Sequence, residues 1–416
     1  MDNLSHQAHK ITLTLFSANS TSSAGIIAIA TLAAIIGAKL GGSASWAGVP
    51  VATFSLGSAL SAYPWGVLMD RIGRRGGLVI GLILGALGAA AALAAVARGS
   101  LSVYLAGTLL IGMANGAMLL GRFAAAEVHP PQQRGRAISN VVLGGAVGAI
   151  VGPLLVAPSG ALAQSFGIDE LAGAYAVCSL LFFLSTTLVF AGLRPDPRDL
   201  GRQVAQLFPE ASPTNGEIRP IPQILRQPAA LVALLAMVIG QVVMISVMAV
   251  TSVHMRAHQY SIANISTVLG SHVLGMYAFS LVSGRLSDRW GRGPVIAFGS
   301  FTLLLACLAA PLSPELLPLA VALFLLGLGW NFCFVGGSSL LSDQLSPGER
   351  ARTQGTSDLL VGLASAMTGI LTGLAFAARG YGFVAMIGAA LSLVPLFMAL
   401  LWMRNRRLSS VLEAGD

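Results

Sequence analysis

Gly66-Val67-Leu68-Met69-Asp70-Arg71-Ile72-Gly73-Arg74-Arg75 places four charges in six residues between two long apolar segments. The same pattern returns 218 residues later as Gly284-Arg285-Leu286-Ser287-Asp288-Arg289-Trp290-Gly291-Arg292. A second charged pattern follows each copy. Glu127 precedes Arg134 and Arg136 in the first half, and Asp343 precedes Arg350 and Arg352 at the same spacing, 216 residues on. Two charged motifs recurring in order at nearly one offset indicate a chain built by duplication.

The segments around these motifs are apolar enough to cross a bilayer. Of 416 residues, 55% are hydrophobic and 10% charged, where a soluble domain carries about 25% charged residues. Mean hydropathy is +0.79. One soluble core cannot hide so much apolar surface, so a soluble enzyme and a nucleic-acid-binding module are excluded and a polytopic membrane protein is indicated. Segments of spanning length fall near 12–38, 46–69, 76–97, 102–125, 137–157, 171–193, 228–253, 262–286, 294–311, 316–341, 353–377 and 380–403. The expected fold is all-α and integral to the membrane: twelve transmembrane helices in two six-helix bundles related by a pseudo-two-fold axis. The first segment is too long, and its flank too weakly basic, for a cleaved signal peptide.

Twenty of the 24 Lys and Arg residues fall at one set of helix ends; only Lys39, Arg98, Arg256 and Arg379 fall at the other. The positive-inside asymmetry then places both termini in the cytoplasm, with the chain multi-pass in the cell's inner membrane. It also accounts for the net charge of +8 without nucleic acid. Between the sixth and seventh segments, Arg194–Gln227 holds six prolines and reads as a linker with a short helix around 199–208. The expected division is 1–193, 194–227 and 228–416.

Catalytic signatures are missing. The three cysteines lie in apolar stretches and read as buried residues. Neither lysine follows a glycine in a phosphate-binding loop, and His-Glu-x-x-His and Gly-x-Ser-x-Gly do not occur. No cofactor and no metal are expected; His254 and His258 share a helix face, with no acid or cysteine nearby to complete a metal site.

The stretch from Gly66 to Arg75, echoed by Gly284–Arg292, resembles the loop 2–3 signature of the major facilitator superfamily, and the resemblance extends to helix count, linker position and repeat. It implies alternating access by two bundles rocking about a central site. It also implies that Gly66, Asp70, Arg71, Gly73, Arg74 and Arg75, with Glu127 and Arg134, form a cytoplasmic gate, mirrored by Asp288, Arg289, Gly291, Arg292, Asp343 and Arg350. Asp70 would sit near the start of the eleventh helix, whose dipole stabilises a carboxylate by ~0.3–2 kcal/mol; otherwise these charges set topology and stiffen loops. Gly144, Gly148 and Gly152-Pro153 in the fifth helix resemble in part the glycine-proline motif of proton antiporters, although Leu154-Leu155 follows in place of further glycine. Gly112 stands where drug antiporters carry an arginine in the fourth helix.

Ionisable groups within spans are functional candidates because charge in a bilayer is costly. Asp358 and His272 are candidates for proton coupling; the alternatives are a cap-like acid at the start of the eleventh helix and a neutral histidine bonded between helices. Arg122 either reaches toward the cytoplasm or Glu127, or faces an anionic substrate. The family places the first, fourth, seventh and tenth helices around the cavity. Their candidate lining is Asn19; Asn115, Met118 and Arg122 on one face; Gln241, Met244 and Met248; and Trp330, Asn331 and Phe334. An apolar wall with a few amides suits a small, partly apolar compound.

The first reading is proton-coupled export of such a compound by a monomer embedded in membrane lipid. The second is an importer or facilitator of a small organic or anionic metabolite. A non-transporting sensor or scaffold and an integral-membrane enzyme are the readings from other classes.

Overall fold

The computed structural model describes residues 2–130, 133–208 and 219–413. Among these, all regular structure is helical: α1 (Asp2–Gly41), α2 (Val49–Ile72), α3 (Arg74–Arg98), α4 (Leu101–Glu127), α5 (Arg134–Ser165), α6 (Glu170–Gly192), α7 (Pro197–Leu207), α8 (Ile221–Leu225), α9 (Pro228–Ala257), α10 (Ile262–Tyr277), α11 (Ser280–Trp290), α12 (Arg292–Ala309), α13 (Leu316–Asp343) and α14 (Pro347–Glu413), with a single 3₁₀ turn at Ala44–Trp46. Ten helical stretches among the described residues are long and apolar enough to cross a membrane. Counting α14 as two spans, broken at Gly380, and adding the 24-residue but more polar α2 gives the twelve expected. The protein is a multi-pass membrane protein.

Most expected helix ends lie within four residues of those observed, but α1 starts ten residues earlier than expected, α5 ends eight later, and α14 starts six earlier and ends ten later. The eighth segment is two helices, broken at Ala278–Phe279, where the sequence offers neither Gly nor Pro. Asn331 of α13 props the break: its Nδ2 donates to the Met276 carbonyl at 2.6 Å and to Ser280 Oγ at 2.9 Å.

The chain divides into two compact units, Met1–Ser212 and Pro213–Asp416. In the first, α1 packs on α5 and α6, α3 on α4 and α6, and α2 on α4. Small residues bring these backbones together, as they do where water supplies no drive for helix association. A methyl group on Gly144, Gly148 or Gly152 of α5 would strike the α1 carbonyls of Phe16, Ser20 and Ala24 in turn. In the second unit, α9 packs on α13 and α14, α10 on α13, and α12 on α13 and α14. Its core at the arginine-rich end is small and apolar, from Ala230, Ala233 and Ala236 to Ile296 and Leu340.

Candidate functional site

The repeated motif builds the same device twice. In the first unit, α2 ends at Gly73 and α3 begins at Arg74, so Asp70 and Arg74 stand one turn apart. Arg74 Nη1 donates to Asp70 Oδ1 at 2.9 Å, while its Nε and Nη2 grip Glu127 at the end of α4 at 3.0 and 2.7 Å. In the second unit, Arg292 Nη1 donates to Asp288 Oδ1 at 2.7 Å and its Nε to Asp343 Oδ2 at 3.0 Å. An arginine at the start of the third helix of each half therefore ties the second helix to the fourth. The fork onto Glu127 is bidentate; the shorter Asp343 receives one bond. Paired arginine–carboxylate forks are the stronger, geometrically specific kind.

Asp70 and Asp288 are largely exposed, at 70% and 75% of the side chain. An exposed pair four residues apart contributes only ~0.3–0.5 kcal/mol, so fold stability does not explain either carboxylate. Of the other motif residues, Arg71 is exposed at the helix end, Gly66 and Gly284 have open space beside them, and Arg134 Nε donates weakly to the His129 carbonyl at 3.4 Å. The side chain of Arg350 lies outside the described residues.

The start of the linker completes the first device. Asp196 accepts from the backbone N–H groups of Arg74 at 3.1 Å, Arg75 at 3.0 Å and Arg198 at 2.9 Å. One carboxylate thereby caps both α3 and α7. Arg198 Nη1 in turn donates to the carbonyls of Asp70 at 2.9 Å and Arg71 at 3.3 Å, in the last turn of α2. Gly73 makes this approach possible twice over: its φ is 92°, a region that excludes side chains, and a Cβ there would collide with the Asp196 carboxylate. Gly291 repeats the backbone, with φ 89°, but a Cβ there would meet only Pro294 Cδ at 3.9 Å.

The end of the linker grips the second unit. Arg219 donates from Nε and Nη2 to the two Glu349 oxygens, each at 2.8 Å, and from Nη2 to the Gln344 carbonyl at 2.7 Å. Glu349 is 1% exposed and also accepts from the Ser346 N–H at 3.0 Å. Ser346-Pro347-Gly348-Glu349 is thus half of a capping box shared with an arginine. The Arg219 guanidinium, followed by the Ser346 amide, holds the Glu349 carboxyl well below the usual carboxylate range. At the corresponding place in the first half stands the neutral Gln133.

Most cavity candidates are already engaged by neighbouring helices. Asn19 Nδ2 donates to the Val141 carbonyl of α5 at 2.9 Å, and Asn115 Nδ2 to Ser58 Oγ of α2 at 3.0 Å. Asn331 props the α10–α11 break. Gln241 Oε1 accepts from Trp330 Nε1 at 2.7 Å, and Trp330 stacks on Phe334 at 5.1 Å with Tyr277 edge-on at 6.4 Å. Met118 and Met244 are buried; Met248 is half-buried. Half-buried Gln241, Trp330 and Phe334 make a patch that joins ring faces to an amide. Arg122 is half-buried, 4.9 Å from the Phe123 ring.

The two proton-coupling candidates differ. His272 is fully buried and donates from Nδ1 to the Leu323 carbonyl of α13 at 3.0 Å. Asp358 lies exposed on α14.

Asp196, Arg198, Arg219 and Glu349 escape the motif reading. The signals were present: Asp196-Pro197 is an N-cap followed by proline at the first helical position, and Ser346 to Glu349 spells a capping box.

A family model described as Major Facilitator Superfamily matches residues 14–261 and 232–415. The chain is 36% identical over 385 residues (92% of its length, 89% of the relative's) to the "Uncharacterized MFS-type transporter YdeG" of Bacillus subtilis (strain 168). It is 30% identical over 399 residues (94% and 95%) to the "Riboflavin transporter RfnT" of Brucella anthropi. Among solved structures, the human organic anion transporter MFSD10 (TETRAN) superposes with a TM-score of 0.63 at 17% identity, covering 94% of this chain and 99% of that one. A peptide transporter POT bound to alafosfalin superposes with a TM-score of 0.68 at 14% identity over 93% and 94%. Both structural likenesses concern the fold.

Proposed function

The chain belongs to the Major Facilitator Superfamily and is a transporter, not an enzyme; on that premise we propose that it exports a small, partly apolar organic compound in exchange for protons, by alternating access. The observation that carries this reading is the duplicated arginine device. Each half ties its own second, third and fourth helices together, as two bundles that rock as bodies require. The largely exposed Asp70 and Asp288 carboxylates are then the mobile gate contacts. Export is supported by the glycine ladder of α5, which resembles the antiporter motif and lies directly on the α1 backbone.

Asp358 is the proton carrier in this reading. It is exposed, whereas His272 is sealed between α10 and α13 with its Nδ1 committed. The membrane is the cell's inner membrane, with both termini cytoplasmic, and the working unit is a monomer of two bundles, 1–193 and 228–416, joined by 194–227.

A second reading is carriage of a small organic or anionic metabolite without antiport. The 30%-identical relative named as a riboflavin transporter favours it, as does the half-buried Arg122. Proteoliposomes holding a pH-sensitive dye separate the two. Protons moving opposite to a lipophilic compound support export. Uptake of riboflavin or a small anion, with no proton signal or with protons moving alongside, replaces it with the second reading.

A further inference from the structure

At the arginine-rich end of the first unit, two guanidinium groups converge on one ring. Arg75 lies 4.5 Å and Arg194 5.4 Å from the Phe190 ring centroid, so their carbons are no more than about 10 Å apart. Arg75 Nε donates to the Phe190 carbonyl at 3.0 Å. Among the described residues neither guanidinium has a carboxylate partner. The nearby acid, Asp196, spends its oxygens on three backbone N–H groups. Two like charges gathered without an anion are unfavourable by themselves, and the arginine fork matches a phosphate.

The surface below them is apolar. Phe190 itself is 54% exposed, and it continues an exposed stripe on α6 through Phe183 and Leu180. Beside it on α3 run exposed Ile83 and Leu87. The helices are tied together under this stripe by Ser179 Oγ, which donates to the Ala86 carbonyl at 3.0 Å. From Phe190 to Leu180 the stripe spans about 15 Å at 1.5 Å per residue, half of a ~30 Å hydrocarbon core. Positive charge at the membrane surface above one leaflet's depth of exposed apolar side chains is complementary to one kind of molecule.

We propose that Arg75 and Arg194, flanking Phe190, hold the phosphate of an anionic phospholipid whose acyl chains lie along the α3–α6 face. The headgroup takes both arginines, and Phe190 orients them by ring contact and excludes water from one side. The site belongs to one unit. It rests on the reading of α3 and α6 as membrane spans.

The test places the full-length protein in nanodiscs of phosphatidylcholine, with or without phosphatidylglycerol, and counts retained lipids by native mass spectrometry. The wild type should retain phosphatidylglycerol in preference to phosphatidylcholine at equal mole fraction. In Arg75→Gln/Arg194→Gln that preference should fall about thirtyfold, as two surface arginines facing anionic lipid imply. Arg194→Gln alone removes one of the two headgroup charges and should cost about fivefold; inside the protein its side chain gives up only the contact with the Phe190 ring, so it serves if the double variant does not fold. Arg202→Gln, on α7, should leave the preference intact, and millimolar inorganic phosphate should not displace the lipid. An unchanged preference in Arg194→Gln, equal retention of the two lipids by the wild type, or displacement by free phosphate would overturn the proposal.

Discussion

Replacing Gly73 and Gly291 by alanine, separately, isolates what the linker carboxylate does. Their backbones are nearly superimposable, with φ 92°, ψ 160° and φ 89°, ψ 165°. Alanine in this region costs ~1–3 kcal/mol of strain, partly offset by ~0.4–1 kcal/mol from the stiffer unfolded chain, and both contributions are shared by the two sites. Only at Gly73 does the new methyl meet the Asp196 carboxylate. Displaced, Asp196 gives up three backbone N–H groups at the starts of α3 and α7. A lost cap costs ~0.5–2 kcal/mol, and with water replacing part of each bond the total is ~1–3 kcal/mol. Gly73→Ala should therefore destabilise the protein by ~1–3 kcal/mol more than Gly291→Ala. The assay is reversible unfolding in mixed micelles, repeated in an Asp196→Ala background, where the obstructing carboxylate is gone and the two alanine costs should converge. Equal costs in the wild-type background, or a difference that survives Asp196→Ala, would show that the carboxylate has no part in it.

Three other outcomes are expected. Asp70→Asn should slow transport sharply while leaving thermal stability within about 0.5 kcal/mol, as for an exposed pair; wild-type rates in proteoliposomes would remove Asp70 from the gate. Glu349→Gln should destabilise the protein by the same amount from pH 5 to pH 8. A carboxyl whose folded pKa is depressed stabilises above the unfolded value of about 4.3 and loses that contribution only as pH falls through the folded one, so a deficit that shrinks between pH 7 and 5 would contradict the Arg219 pairing. His129 Nε2 lies 2.9 Å from Thr12 Oγ1, and partial burial, with His9 nearby, lowers its pKa. The unfolded chain takes up its proton first, so stability should fall as pH drops below about 6.5, and more steeply in the wild type than in His129→Gln.

The architecture was legible because membrane spans announce themselves by length and because the Asp–Arg–Gly–Arg motif repeats. What the sequence hid was partnership. Arg74 and Glu127 are 53 residues apart, and no local pattern says that one arginine serves both Glu127 and Asp70. The amides' partners were hidden too: Asn19, Asn115 and Asn331 each bond a neighbouring helix, because a polar group in a bilayer is most cheaply satisfied by the nearest backbone or hydroxyl. The break in the eighth span was invisible for the same reason. Its support, Asn331, comes from α13, not from any helix-breaking residue at 278–279.

The two anchors of the linker differ in when they can be made. Asp196 binds amides 121 and 122 residues behind it, already synthesised when it leaves the ribosome. Arg219 waits for Glu349, 130 residues ahead, with the seventh to tenth spans still to be inserted. The first half can thus close and cap itself while the second is unfinished, in keeping with domains folding from the N-terminus during synthesis. Until the eleventh span arrives, Arg219 has no Glu349 to grip, so a nascent chain stalled in the second half holds its linker by the Asp196 end alone.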